Sequence, residues 1–174
     1  STIFSNNEIG FNEQVIFNCI FDNNMASYEG AVEIVRSGLG NLIIENSTFT
    51  NNLGGRTGAI NVDGGNFLIS KNLIANNRTE TYHGNIFNES SGGLFLNSQL
   101  GNLKNNTIAY NSCSRGLSSS SLVIGEFSPI IENNIIVSNS TVGYLLKSYN
   151  PDPIFQYNNV YDPSGFTLNG LSEY

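Results

Sequence analysis

The chain has 174 residues, 39% of them hydrophobic, and a net charge of -7 with only seven Lys plus Arg. That length fits one domain with a continuous core, and the scarcity of cations excludes a phosphate-neutralising surface for nucleic acid or anionic membranes. No apolar run approaches the roughly 18 residues of a membrane span, and the start at Ser1 carries no charged-then-apolar secretion signal, so the chain is expected to be processed or excerpted from something longer.

In chain order, an apolar residue is followed three positions later by a slot that is nearly always Asn: Phe4/Asn7, Ile20/Asn23, Phe49/Asn52, Ile74/Asn77, Ile108/Asn111 and Ile136/Asn139, with Val160/Pro163 as a degenerate copy. The asparagines are 16, 29, 25, 34 and 28 residues apart, the period of one solenoid turn with loosely held length. Ahead of each motif lies a first apolar stretch, read at 41–45, 66–70, 102–104, 129–132 and 153–156. Ile44, Ile69, Leu103 and Ile131 align there as inward side chains. The motif residues Phe4, Ile20, Phe49, Ile74, Ile108, Ile136 and Val160 make a second inward column. A third strand follows a Gly or Ser, at 30–34, 58–62, 93–96, 121–124 and 143–146, with Val32, Ile60, Phe95, Val123 and Leu145 inward.

These columns predict an all-β, single-domain parallel β-helix over 1–174, of six to seven coils with three short strands each. The 29 Asn suit its turns, because Asn tolerates left-handed backbone and its amide bonds to neighbouring backbone. Stacked coil on coil, Asn7, Asn23, Asn52, Asn77, Asn111 and Asn139 are expected to form an internal amide ladder. A leucine-rich repeat lacks its signature here, the units are too short for propeller blades, and Gly, Asn and Ser interrupt any helical period. Cys19 and Cys113 fall three coils apart, about 14 Å at the sheet spacing of about 4.8 Å, too far for a disulfide.

The aligned units resemble right-handed parallel β-helix proteins of the pectate-lyase-like superfamily. Phe49-Thr50-Asn51-Asn52 followed by Thr57-Gly58-Ala59-Ile60 is similar to the FxxN and GGA[ILV] pair of chlamydial polymorphic outer-membrane proteins. Ile20-Phe21-Asp22-Asn23 with Gly30-Ala31-Val32, and Gly92-Gly93-Leu94-Phe95, are looser copies. This resemblance implies a right-handed coil, extracellular or cell-surface location and adhesion rather than catalysis.

Candidate chemistry is sparse. A lyase or hydrolase of this fold would need clustered carboxylates, and the nearest grouping is Glu33 with Asp63 on successive Gly-led strands, Glu33 aligning with Asn61 and Asp63 lying two residues beyond. Two carboxylates serve as acid and base only where a cleft raises one pKa. The longest departure from the repeat is a loop at 78–91, where Tyr82, His83 and Phe87 are a candidate carbohydrate- or protein-contacting surface. Asn88 within it is the most accessible of five glycosylation sequons. One His without nearby acidic or Cys ligands makes no metal site, and no cofactor motif is present. The expected function is a non-catalytic structural or adhesin-like element that stacks end to end into a filament, with a carbohydrate or a cell-surface protein as partner; a carbohydrate-active enzyme or binding module is the alternative.

Overall fold

Short runs of Val, Ile, Leu and Phe bounded by Asn, Gly and Ser leave no segment long enough for a helix, and every regular element among the described residues is a strand. The computed structural model describes residues 2–6, 13–36, 40–80, 90–98, 100–114, 119–138, 144–149, 153–162 and 168–169. They wind into a parallel β-solenoid of about four turns.

Four parallel sheets run along the solenoid. The leading sheet stacks Gln14–Phe17, Asn41–Glu45, Asn66–Ser70, Leu100–Lys104, Ile130–Glu132 and Ile154–Gln156. The motif sheet stacks Ile20–Asp22, Thr48–Thr50, Leu73–Ala75, Thr107–Ala109, Ile135–Val137 and Asn159–Tyr161. The Gly-led sheet stacks Thr2–Asn6, Val32–Arg36, Ile60–Asp63, Leu94–Asn97, Ser119–Ile124, Tyr144–Ser148 and Leu168–Asn169. A corner sheet of Leu53–Gly54, Arg78–Thr79 and Ser112–Cys113 adds a fourth short strand to the central turns, where three per coil were expected.

Register sets the inward columns. Ile16, Ile44, Ile69, Leu103, Ile131 and Phe155 align in the leading sheet as the apolar pattern requires. In the motif sheet the column is Phe21, Phe49, Ile74, Ile108, Ile136 and Val160. Ile20 is therefore not inward: it pairs with Thr48 and is 78% exposed, while the Phe21 and Phe49 rings stack with centroids 4.8 Å apart. Phe4 lies in the Gly-led sheet opposite Ile34, so Phe4/Asn7 is not a copy of the motif.

The third column also shifts by one residue in three coils, where Leu94, Leu122 and Leu146 take the places expected for Phe95, Val123 and Leu145. Val32, Ile60, Leu94, Leu122 and Leu146 are in register, and Phe95 and Val123 belong to the opposite face. The cause is which glycine takes the corner. Thr57 pairs with Ser91, so Gly92 rather than Gly93 stacks on Gly58. Neither cysteine forms a disulfide: Cys19 is exposed in a turn and Cys113 is buried in the corner sheet.

Candidate functional site

Two corners of each coil have the same construction. A left-handed residue turns the chain, and the next residue, Asn in all but the first two coils of the first corner, points its amide inward. The first corner follows the leading sheet, with Asn18, Asn46, Lys71, Asn105, Asn133 and Tyr157 at φ between 51° and 59°. The second follows the motif sheet, with Asn23, Asn51, Asn76 and Tyr110 in the same conformation. Asn suits this conformation because its short polar side chain lessens the steric penalty other residues incur.

The amide ladder of the second corner runs Asn24, Asn52, Asn77, Asn111. Asn52 donates its backbone N–H (3.0 Å) and Nδ2 (2.8 Å) to Asn77 Oδ1, and Asn77 does the same to Asn111 Oδ1 at 2.9 and 3.0 Å. Each Nδ2 also donates to a strand carbonyl of the preceding coil, as Asn77 does to Phe49 at 2.9 Å. Asn24 takes the rung expected for Asn23, donating to Asn52 Oδ1 at 3.0 and 2.9 Å. Asn23 is instead the left-handed residue, its side chain outside on Asp22. Asn7 and Asn139 lie outside the described residues.

A second ladder, which the apolar-x-x-Asn spacing missed, occupies the first corner. Ser47 donates to Asn72 Oδ1, Asn72 to Asn106, Asn106 to Asn134 and Asn134 to Asn158, at 2.8–3.0 Å. The signal for both is five of the seven Asn-Asn doublets, 23–24, 51–52, 76–77, 105–106 and 133–134, whereas at 158–159 Tyr157 turns the chain and Asn158 ladders. In those five the first Asn turns the chain and the second ladders.

Titratable chemistry concentrates on the outer side of the Gly-led sheet. Glu33 pairs in register with Asn61, and Asp63 with Val35 and Asn97, whose Nδ2 donates to Asp63 Oδ1 at 3.0 Å. The pair expected from sequence is thus offset along adjacent strands. Glu33 acts instead on Glu29, which sequence reasoning missed. Glu29 is 3% exposed, accepts from Asn61 Nδ2 at 3.3 Å, and stacks in register with Thr57, itself beside Ser91. Burial pushes the Glu29 carboxyl up to about 7; Glu33 adds to the rise, while Arg56 and the Asn61 amide oppose it. Arg56 lies over the Phe95 ring, 4.4 Å from its centroid. A carboxyl so enclosed has no face left for a polymeric substrate.

The outer face of the leading sheet is open and carries a groove. Val15, Ile43, Leu68, Asn102, Ile130 and Ile154 stand in one outward row. Beside it run Glu45, Ser70, Lys104, Glu132 and Gln156, and Asn41, Asn66 and Leu100 flank the other side. A groove of about 370 Å³ opens there, lined by Glu13, Asn41, Ile43, Leu68, Leu100 and Asn102 among others. Behind the groove, Gly101 stacks in register on Phe67, whose ring occupies the inward space that a Gly101 Cβ would take. Asn66 Nδ2 reaches Asn41 Oδ1 at 3.4 Å, and Asn66 Oδ1 is enclosed without a protein partner. Glu45 accepts from Ser70 Oγ at 2.8 Å and Lys71 Nζ at 3.1 Å, which hold its pKa below the usual value.

Tyr82, His83, Phe87 and Asn88 lie outside the described residues. Among the described residues no group of three or more His, Cys, Asp or Glu could hold a metal ion, and no helix is long and apolar enough to cross a membrane. The fold defines the chain as a parallel β-solenoid with buried asparagines. In comparisons with known proteins no family model, curated protein or solved structure matches it, so the likeness to pectate-lyase-like and chlamydial repeats rests on the short motifs.

Proposed function

We propose that this chain is a non-catalytic, extracellular structural or adhesin-like surface element, a right-handed β-helix of six to seven coils whose leading sheet binds a neutral carbohydrate. The groove over Ile43, Leu68 and Asn102 carries this reading. It joins an aliphatic floor to the carboxamides of Asn41, Asn66 and Asn102, a surface suited to the C–H faces and hydroxyls of a sugar. Glu13 in the lining and the net charge of -7 repel acidic polymers. A peptide adding as a strand finds no free edge within a sheet face.

Retention of the protein on neutral and acidic polysaccharides tests this. Binding to a neutral polymer, lost in Leu68→Asp with the fold intact by circular dichroism, is the expected result. Retention by acidic polymers alone, or by a protein partner alone, overturns the choice of ligand. Release of reducing or unsaturated ends, abolished by Glu33→Ala or Asp63→Ala, overturns the non-catalytic reading.

End-to-end assembly is part of the same proposal. Ile20 and Tyr157, 78% and 79% exposed, lie on opposite terminal coils of the motif sheet's stack. Concentration-dependent growth in size-exclusion chromatography is expected, and a monomer at all concentrations removes this part.

A further inference from the structure

Among the described residues one carboxyl, Glu29, is buried, and neither the groove nor the ladders use it. Glu29 lies at the corner where the chain enters the Gly-led sheet, and that corner is closed by tight backbone bonds: Gly30 N–H donates to Thr57 O and Arg56 N–H to Tyr28 O, both at 2.8 Å. Its side chain is enclosed with Asn61, which is fully buried and donates to Oε1 at 3.3 Å while its own Oδ1 has no partner. Thr57, stacked on Glu29 in register, is also fully buried, and its hydroxyl is unpartnered. This pocket solvates a neutral carboxylic acid adequately and an anion poorly.

Among the described residues two charges act on Glu29. Glu33, on the strand that follows it, repels an ionised Glu29, and Arg56, from the next coil, attracts it. Asp63 lies farther along the next strand and is engaged by Asn97. Tyr28, the preceding residue, is half exposed.

We propose that Glu29 is an acid latch: a carboxyl built into the coil corner between Asn61 and Glu33 that holds the corner closed when protonated and loosens it when ionised. The upward displacement of its pKa places the change near neutrality. Because the folded state binds this proton more tightly than the unfolded chain, the stabilisation is complete below the ordinary carboxyl value of about 4.5 and disappears as pH rises through about 7. The latch therefore tightens the solenoid in mild acid.

Carbon-13 NMR of the Glu carboxyls, with melting temperature against pH, tests this on the whole chain. Wild-type Glu29 is expected to titrate near neutrality, with Gly30 and Arg56 amides exchanging faster above the midpoint. Glu33→Gln should lower that midpoint and Arg56→Gln raise it, opposite shifts that a merely structural contact would not produce. Glu29→Gln should flatten the melting temperature between about pH 4.5 and 7. Titration of wild-type Glu29 near 4.5, or an unchanged slope in Glu29→Gln, overturns the latch.

Discussion

Asn23 and Asn24 are adjacent and chemically identical, yet they do different work. Asn23 supplies a left-handed turn with its amide outside, so glycine should replace it: Asn23→Gly is expected to change stability by less than about 1 kcal/mol in urea denaturation. Asn77 is buried, and its amide satisfies Asn52 N–H, Asn52 Nδ2 and the Phe49 carbonyl. Asn77→Ala strands all three in the interior, and a loss of about 3–5 kcal/mol is expected in the same measurement. The doublets were visible in the sequence. Which member ladders was not, because that depends on where the chain turns.

Strands here are two to six residues long, so each coil owes its place to its neighbours' side chains. The one-residue slip between Ile20 and Phe21 decides which is core. Ile20→Ser should stay within about 0.5 kcal/mol of wild type, whereas Phe49→Ala, removing a fully buried ring from the Phe21 stack, should cost about 3–5 kcal/mol by calorimetry. The glycine corner is equally sensitive. A Cβ on Gly58 would collide with the Gly92 carbonyl, and one on Gly30 with the Gly58 carbonyl, so backbone would have to move. Gly58→Ala is expected to lose more than about 3 kcal/mol or prevent folding. At Gly101 the obstacle is the Phe67 side chain, and Gly101→Ala should cost about 1–3 kcal/mol.

Across the whole molecule, charge and burial combine into one pH profile. Hydrogen bonds from Thr50 and Asn51 hold Asp22 below the usual carboxyl range, and Ser70 and Lys71 do the same for Glu45. Their stabilisation is present above the ordinary carboxyl values and is lost as pH falls through them. Glu29 acts in the opposite sense between about 4.5 and 7, and the net charge of -7 diminishes on acidification. A stability maximum on the mildly acidic side is the expected outcome, measured as melting temperature from pH 3 to 9; a maximum at or above pH 8 would contradict it.

What the sequence determined by itself was the repeat: alternating apolar residues and Asn-rich turns admit no helix, and their period is that of a coil. The leading-sheet column of Ile44, Ile69, Leu103 and Ile131 was readable because its flanking spacing is constant. Only the tertiary structure decided the register of the Gly-led face and of the first motif coil, the second ladder, and the meeting of Glu29 with Asn61 from the next coil. Those depend on contacts 25 to 34 residues apart, set by how many residues each turn absorbs before the strands align. Periodicity within one coil fixes which faces alternate; the stacking of coils fixes which residues meet.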